Sequence, residues 1–268
     1  MRTVTTVLPA ALAALASPLA GQAVSADMPQ RGPLLTRRDL VTVGAAVAAA
    51  GALLPFDTRI ARWSQQPRFQ RSPATRAAAA ALRTFGDPGA LAAGVVVFGI
   101  GAASDRRGTA AVGLHTVEAI VASGAVTGAV KMLAGRARPY TTGDSSATSF
   151  DLGRGLRGGT AYQSLPSGHS TAAFALAGAL AAEGRHRWAS TNRITGPAGF
   201  AVAALVAGSR IYHDRHWASD VVLGAGIGAT AGAVAVRYAR THPGNAADRR
   251  LLPRRSAVPP VISWTARF

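Results

Sequence analysis

The sequence predicts an all-α protein, a helical bundle of about five to six mostly membrane-spanning helices. Its apolar runs are mostly about 16 to 23 residues long, against roughly 20 residues for an average bilayer span. Hydrophobic residues make up 49% of the chain but aromatic residues only 6%, and the runs consist mainly of Ala, Gly and Val. Small residues let helices approach closely, as they do in membrane bundles. The sequence shows neither the alternating pattern of strands nor an internal repeat.

The charge is strongly positive, at a formal +17 with a sequence pI near 11.8. Nucleic acid is a weak explanation, because the arginines are spread over many separate loops without interleaved aromatic residues. Anionic lipid headgroups explain such loops as well. A mean hydropathy of +0.19 is low for a protein in lipid, and it reflects the Arg-rich connections. We therefore expect a membrane as a partner and no nucleic acid. The absence of cysteine excludes disulfides and thiolate metal sites.

The N-terminal 39 residues contain two competing export or anchor signals. Residues 1–26 have a basic start, an Ala-rich apolar stretch and a small-residue cleavage site, as in a secretory signal, although an uncleaved anchor fits too. Arg37 and Arg38 precede a second apolar run, typical of a twin-arginine signal or a first membrane helix. We interpret residues 40–56 as a membrane helix. The predicted division is a signal-like or anchor segment (1–39), a helical domain (40–237) and a basic, disordered tail (238–268).

Start and stop signals then place the remaining helices. The predicted helices are Ser72 to Phe85, 88–104, 109–133, 168–183, a helix from Thr195-Gly196-Pro197 to about Arg210, and 217–237. The segment 184–193 is predicted to be a basic turn, and 135–165 a polar loop that could act as a lid. His115 and Glu118 have the spacing of a buried polar pair on one helix face.

The chemistry centres on residues 209–220, which place Arg210, His216 and Asp220 at fixed intervals. If a helix begins near His216, the four-residue step stacks Asp220 one turn below it. The carboxylate would then accept the ring N–H and leave the other nitrogen bare. An oriented imidazole of this kind is a nucleophile or a proton acceptor. The alternative is a polar helix start in which the two side chains satisfy each other.

Two further blocks complete the pattern. Residues 131–139 supply Lys131 and Arg138, and residues 166–169 form a Pro-Ser-Gly-His turn that opens an apolar helix. The amides near Ser167 and Gly168 would lie at a helix N-terminus, which favours an anion. Helix order places all three blocks on the same side of the bundle. Three cations and two histidines are the parts needed to hold and cleave a phosphate ester without metal.

These blocks resemble the signature of the type 2 phosphatidic acid phosphatase and vanadium haloperoxidase superfamily, in its bacterial membrane phosphatase branch. The signature is Lys, six residues, Arg-Pro; then Pro-Ser-Gly-His; then Ser-Arg, five residues, His, three residues, Asp. The resemblance implies that His216 attacks phosphorus to form a phosphohistidine, that Asp220 fixes its tautomer, and that His169 protonates the leaving oxygen. The residues expected to bind the phosphate are Lys131, Arg138, Ser167, Gly168 and Arg210.

The resemblance implies a metal-independent phosphatase of a lipid phosphate or diphosphate, without a cofactor. We interpret His213 beside His216 as a rim contact rather than half of a metal pair. The expected location is the bacterial inner membrane, multi-pass, with the site facing the periplasm or outside. Charge alone hardly separates the two faces, because residues 57–83 carry six arginines on the site side. The alternatives are a soluble exported non-specific acid phosphatase, a vanadate-dependent haloperoxidase and a non-catalytic membrane scaffold. The sequence leaves the particular lipid and the oligomeric state open.

Overall fold

The computed structural model describes residues 33–86 and 88–254, so the expected signal in residues 1–26 lies outside the described residues. The all-α prediction is confirmed, because the described residues form helices and no strand. The helices are α1 (Arg37–Leu53), α2 (Asp57–Ser64), α3 (Pro67–Gln70), α4 (Pro73–Thr84), α5 (Gly89–Ala103), α6 (Arg107–Ala134), α7 (Pro139–Thr142), α8 (Arg154–Arg157), α9 (Gly168–Arg187), α10 (Ala189–Tyr212), α11 (Ala218–Thr241) and α12 (Ala246–Leu251).

Several of these helices have the length and composition of membrane spans. Four stretches of the described chain qualify, and they are Arg37–Ser64, Arg107–Thr142, Ala189–Tyr212 and Ala218–Thr241. A fifth is added if α4 and α5, which are bent by 52°, form one span. Large apolar side chains on these helices remain uncovered by protein; Val96, Val126 and Leu205 are 56%, 52% and 59% exposed. Such a surface fits lipid better than water, as expected for a multi-pass membrane protein.

Helix α9 packs against α6, α10 and α11 through small residues. Ala175 and Ala179 are fully buried. A Cβ on Gly228 would lie 2.2 Å from the carbonyl oxygen of Thr171, and one on Gly232 would lie 2.4 Å from the amide of Ala179. The backbones of α9 and α11 are therefore in direct contact, which explains why the sequence is rich in glycine and alanine.

The boundary between α9 and α10 differs from the prediction. The expected basic turn at 184–193 is wrong, because α9 continues to Arg187 and α10 begins at Ala189, so that only Trp188 separates them. Pro197 lies inside α10 instead of at its start. Proline inside a helix removes one backbone hydrogen bond. The first turns of α10 have a compensating contact with α9, because the side chain of Asn192 donates to the carbonyl oxygen of Ala181 at 3.2 Å.

The C-terminal region is also more ordered than predicted. Disorder was expected from residue 238, but α11 continues to Thr241 and α12 follows it; residues 255–268 lie outside the described residues. The side chain of Asn245 caps α12 by accepting the amide of Asp248 at 2.9 Å. The cap and the burial of Asp248 hold this short helix in place.

His115 has different partners from the predicted one. Its Nδ1 atom lies 2.6 Å from Glu183 on α9, and its Nε2 atom lies 3.4 Å from Asp248 on α12. The predicted pairing with Glu118 considered only neighbours on the same helix face. In the structure, His115 on α6 instead contacts α9 and α12, at the end of α6 away from Lys131.

Candidate active site

The three sequence blocks meet at one end of the bundle, around a cavity of about 750 Å³. Lys131 comes from the last turn of α6, His169 from the first turn of α9 and Arg210 from the last turn of α10. Of the eight predicted site residues, six line this cavity: Lys131, Arg138, Gly168, His169, Arg210 and His216. The structure thus brings together residues from segments far apart in the sequence.

His216 is buried, at 3% exposure, and its ring orientation is fixed. Nδ1 lies 2.8 Å from the carbonyl oxygen of Ser164. Because a carbonyl can only accept, Nδ1 carries the hydrogen and Nε2 carries the lone pair. Nε2 faces Nη1 of Arg138 at 3.3 Å. Burial lowers the pKa of His216 to about 3, and the charges of Lys131 and Arg138 act in the same direction. The imidazole is therefore neutral at ordinary pH, with a bare nitrogen at the cavity.

The relation of Asp220 to His216 differs from the prediction. Helix α11 begins at Ala218 with Trp217 as its N-cap, so His216 precedes the helix and does not stack on Asp220. Oδ2 of Asp220 lies 3.6 Å from Nδ1 of His216, which is beyond hydrogen-bonding distance. That oxygen accepts hydrogen bonds from the amide of Trp217 at 2.9 Å and from the hydroxyl of Ser164. Nδ1 of His216 therefore donates to the carbonyl of Ser164 and not to Asp220 as expected. The carboxylate of Asp220 is close enough to interact with the ring through its charge.

Arg136, which the sequence reasoning missed, holds Asp220 from the other side. Its guanidinium is fully buried and pairs with Asp220 through Nη1 at 2.5 Å and with Asp57 through Nη2 at 2.8 Å. Asp57, at the start of α2, also accepts the amide of Ser219 at 2.9 Å. The ion-pair network formed by Asp57, Arg136 and Asp220 therefore joins the start of α2 to the start of α11. The only sequence signal was a second arginine two residues before Arg138.

Arg210 has the clearest signature of an anion site. The residue is only 6% exposed, and its Nε and Nη1 atoms have no hydrogen-bond acceptor among residues 33–86 and 88–254. An unpaired buried guanidinium is costly. Because it lines the cavity, an anion bound there would supply the missing acceptors.

Lys131 and Arg138 are held by backbone carbonyls of the predicted polar loop and of the turn between α10 and α11. Nζ of Lys131 donates to the carbonyl of Gln163 at 2.8 Å. Nε of Arg138 donates to the carbonyl of Thr160 at 2.7 Å, and its Nη1 to that of Arg215 at 3.0 Å. Neutral carbonyls position these cations but leave their charge uncompensated, so the charge remains available to a substrate.

The start of α9 contributes backbone amides, and Ser167 is the N-cap of this helix. The Ser167 hydroxyl caps the helix by accepting the amide of Ser170 at 3.4 Å, and its own amide donates to the carbonyl of Asp220 at 3.0 Å. It is fully buried and lies outside the cavity lining. The amides of Gly168 and His169 donate to no acceptor in the described part of the chain. The amides of this helix N-terminus that are available to an acceptor are therefore those of Gly168 and His169.

The backbone of Gly86 packs directly on the ring of His169. A Cβ at residue 86 would lie 2.4 Å from Cδ2 of His169. Only glycine therefore allows this ring position, and the segment after α4 sets where the second histidine points. In the sequence, Gly86 is notable only because it follows the predicted end of a helix at Phe85.

The cavity lining is entirely positive in its formal charges. Beyond the three predicted cations, Arg83 and Arg215 line it, together with His213. No carboxylate of the described residues lines the cavity. The arrangement therefore combines a bare imidazole nitrogen, a second histidine and an excess of cations, which suits the cleavage of a phosphate ester.

Comparison with known proteins agrees with this class of site. Residues 113–243 match the sequence model of the PAP2 superfamily, a range that includes all three blocks. Residues 113–243 thus resemble the PAP2 superfamily, and the predicted resemblance to type 2 phosphatidic acid phosphatases is confirmed. It is also similar to the lipid A 1-phosphatase of Porphyromonas gingivalis, with 42% identity over 89 residues, 32% of this chain. The match spans only 19% of that relative's length. No solved structure matches the chain.

Proposed function

We propose that this protein is a metal-independent phosphatase that hydrolyses a lipid phosphate or diphosphate through a phosphohistidine. One observation carries the proposal: the unpartnered guanidinium of Arg210 and the bare Nε2 atom of His216 line the same cavity. An anion receptor is thereby combined with a nucleophile. Similarity to a protein named lipid A 1-phosphatase supports a lipid phosphate as the substrate.

Substrate binding would use the cations and the free backbone amides that line the cavity. Arg210 and Arg138 can each grip two phosphate oxygens, Lys131 adds a point charge, and the amides of Gly168 and His169 supply two more donors. Arg138 has a second task. Its Nη1 atom now faces the lone pair of His216 at 3.3 Å. Phosphate oxygens are stronger acceptors than the imidazole nitrogen. A bound phosphate would therefore take the hydrogen bond of Arg138 and leave Nε2 of His216 free to attack.

In the first chemical step, Nε2 of His216 forms a bond to phosphorus and the bond to the leaving oxygen breaks. His169 gives its proton to that oxygen. The bound phosphate favours the proton on His169 until this point. The attacking ring becomes positive, and Asp220, 3.6 Å from Nδ1, stabilises that charge. The Nδ1 hydrogen remains bonded to the carbonyl of Ser164 throughout.

In the second step, water attacks the phosphohistidine. His169, now neutral, takes a proton from the water, the P–N bond breaks, and inorganic phosphate leaves. The electron pair of that bond returns to Nε2 of His216, so both histidines recover their starting states. The cations that bind the phosphoryl oxygens stabilise charge in both transition states.

The donor set supports the proposal that no metal is needed. The cavity is lined by cations and by no carboxylate of the described residues, which disfavours a divalent cation. Within the described ranges, His, Cys, Asp and Glu side chains form no group of three that could hold one. The charge stabilisation that a metal provides elsewhere is here assigned to Lys131, Arg138 and Arg210.

We further propose a bacterial inner-membrane location, with the site facing the periplasm. The site lies at the C-terminal end of α6 and the N-terminal end of α9. The other ends of these helices carry a concentration of arginines, namely Arg106, Arg107, Arg185 and Arg187. Positive residues favour the cytoplasmic side, but residues 57–83 carry six arginines on the site side, so the proposed orientation rests mainly on the resemblance to bacterial membrane phosphatases.

The test is phosphate release by the purified full-length protein in detergent. A lipid phosphate is assayed with wild type, His216→Ala and His186→Ala, an exposed histidine at the other end of α9. We expect His216→Ala to abolish release, His186→Ala to retain it, EDTA to have no effect, and vanadate to inhibit. Release that survives in His216→Ala, or that requires an added divalent metal, would refute the proposal.

A further inference from the structure

Three basic residues outside the signature positions line the same cavity, and we call Arg83, His213 and Arg215 the rim group. Arg83 comes from the last turn of α4. His213 and Arg215 come from the turn between α10 and α11. The rim group therefore approaches the cavity from two separate parts of the fold.

The rim group gives the cavity more positive charge than one phosphoryl group requires. Lys131, Arg138 and Arg210 already supply three positive charges, against at most about two negative charges on a phosphate monoester. Arg83 and Arg215 raise the total from three to five, and no described carboxylate lines the cavity to offset them. Unbalanced cations at close range repel one another, so a second anionic group would relieve the excess.

The two rim arginines have donors available for such a group. The guanidinium of Arg83 forms no hydrogen bond or ion pair with the residues that the structure describes. The guanidinium of Arg215 lies over the ring of Tyr140, 5.1 Å from its centroid. Stacking uses the face of a guanidinium and leaves its N–H edge free for an oxygen acceptor.

His213 can add a third donor. Its Nδ1 atom donates to the carbonyl of Ser209 at 2.6 Å, which leaves Nε2 with the lone pair. Burial lowers the pKa of His213, and the nearby charges of Arg210 and Arg83 lower it further. A second anion among these groups would oppose that electrostatic effect and favour a proton on Nε2. His213 would then donate to it.

We propose that the rim group binds a second phosphoryl group of the substrate, an inference that rests on the proposed function. The substrate class is thus an amphiphile with two phosphoryl groups. The second can be the inner phosphate of a diphosphate or a separate phosphate monoester on the headgroup. With a diphosphate, His216 attacks the terminal phosphorus, the bond to the bridging oxygen breaks, His169 protonates that oxygen, and a lipid monophosphate leaves. Water then releases inorganic phosphate from His216.

The experiment compares three substrates with one alkyl chain in the purified full-length protein. They are dodecyl monophosphate, dodecyl diphosphate and a dodecyl ester with two phosphate monoesters on neighbouring carbons. Values of kcat/KM are measured for wild type, Arg83→Gln, Arg215→Gln and the double variant. Arg76→Gln is the matched control, because Arg76 is exposed on α4 and lies outside the cavity lining.

We expect wild type to prefer at least one of the two doubly phosphorylated substrates over the monophosphate by about tenfold or more, since each rim cation adds a charge-assisted hydrogen bond. The double variant should reduce this ratio to about one, and Arg76→Gln should leave it unchanged. The preferred substrate identifies the source of the second phosphoryl group. Equal kcat/KM for all three in wild type, or a preference that survives in the double variant, would overturn the inference alone. Hydrolysis of none of the three would overturn the proposed function as well.

Discussion

His216 donates its Nδ1 hydrogen to the backbone carbonyl of Ser164 across 2.8 Å. A carbonyl cannot be protonated at ordinary pH and has no rotamers, so the tautomer of the proposed nucleophile depends on the backbone between α8 and α9. Asp220, at 3.6 Å, is left to act through its charge.

Asp220→Asn should therefore be less damaging than the loss of a carboxylate that fixes a tautomer. Such a loss costs about 10⁴-fold in kcat in a serine protease triad. With Ser164 still holding Nδ1, we expect a decrease of about 10- to 100-fold, of the size seen for supporting residues of metal sites. The measurement is kcat for phosphate release, with thermal unfolding recorded in parallel. A decrease as large as that of His216→Ala in a fully folded variant would show that Asp220 sets the tautomer after all.

Removal of Arg136 should destabilise the fold. Its guanidinium is the buried partner of both Asp57 and Asp220. Arg136→Met leaves two buried carboxylates without it, and breaking a buried ion pair costs about 3–5 kcal/mol in the free energy of unfolding. The measurement is thermal or denaturant unfolding in detergent.

Two further variants make the Arg136 test specific. Arg193→Met removes an exposed arginine and should leave stability unchanged. The double variant Asp57→Asn/Arg136→Met should recover part of the loss, because one uncompensated charge is removed. Equal stability of Arg136→Met and wild type would contradict the role assigned to the ion-pair network.

Gly86→Ala should impair catalysis through His169. The added methyl group would lie 2.4 Å from Cδ2 of His169, so the ring must move away from the leaving oxygen. Displacement of about 1 Å at a catalytic group can cost about 100-fold, and we expect kcat to fall by at least about tenfold with little change in KM. Gly99→Ala on α5 is the control, since no atom lies within 4 Å of its added Cβ. Wild-type kcat in Gly86→Ala would show that the contact does not position the ring.

The pH profile of kcat/KM should not show the acid limb that a histidine nucleophile with an ordinary pKa would produce. An imidazole with the usual pKa near about 6.5 would be protonated, and the enzyme inactive, below that pH. Burial lowers the pKa of His216 to about 3, so the free enzyme keeps a neutral nucleophile as the pH falls to about 4. After correction for ionisation of the substrate phosphate near about pH 6, we expect no loss of kcat/KM between pH 6.5 and 4.5. An acid limb with an apparent pKa near 6.5 that does not follow the substrate would contradict this.

The sequence predicts the signature residues because their spacing is local. Lys131 with Arg138, and Arg210 with His216, each lie within one short segment, and helix order alone brings those segments to one side. The contacts that the sequence does not predict connect distant segments. Asp57 and Arg136 are 79 positions apart, and His216 and Ser164 are 52 apart. Contacts between such distant residues produce no periodic pattern in the sequence. Ser164 also contributes only its backbone carbonyl, which every residue has, so its identity gives no signal.

Helix boundaries show the same limit. Thr195-Gly196-Pro197 carries start signals, yet tertiary contacts such as that of Asn192 with α9 allow α10 to begin at Ala189. The start of α11 at Ala218 instead of near His216 is a shift of two residues, within the usual uncertainty of helix ends. At this site the shift matters, because it removes the expected hydrogen bond between His216 and Asp220.

The most direct test of the account is to trap the phosphoenzyme. Purified protein is mixed for milliseconds with a lipid phosphate labelled with ³²P, quenched in alkali, and the labelled peptide is identified by mass spectrometry. We expect acid-labile, alkali-stable phosphate on His216, formed equally with and without EDTA and absent in His216→Ala. Rapid phosphate release with no label on the protein, or label on another residue, would contradict the phosphohistidine mechanism.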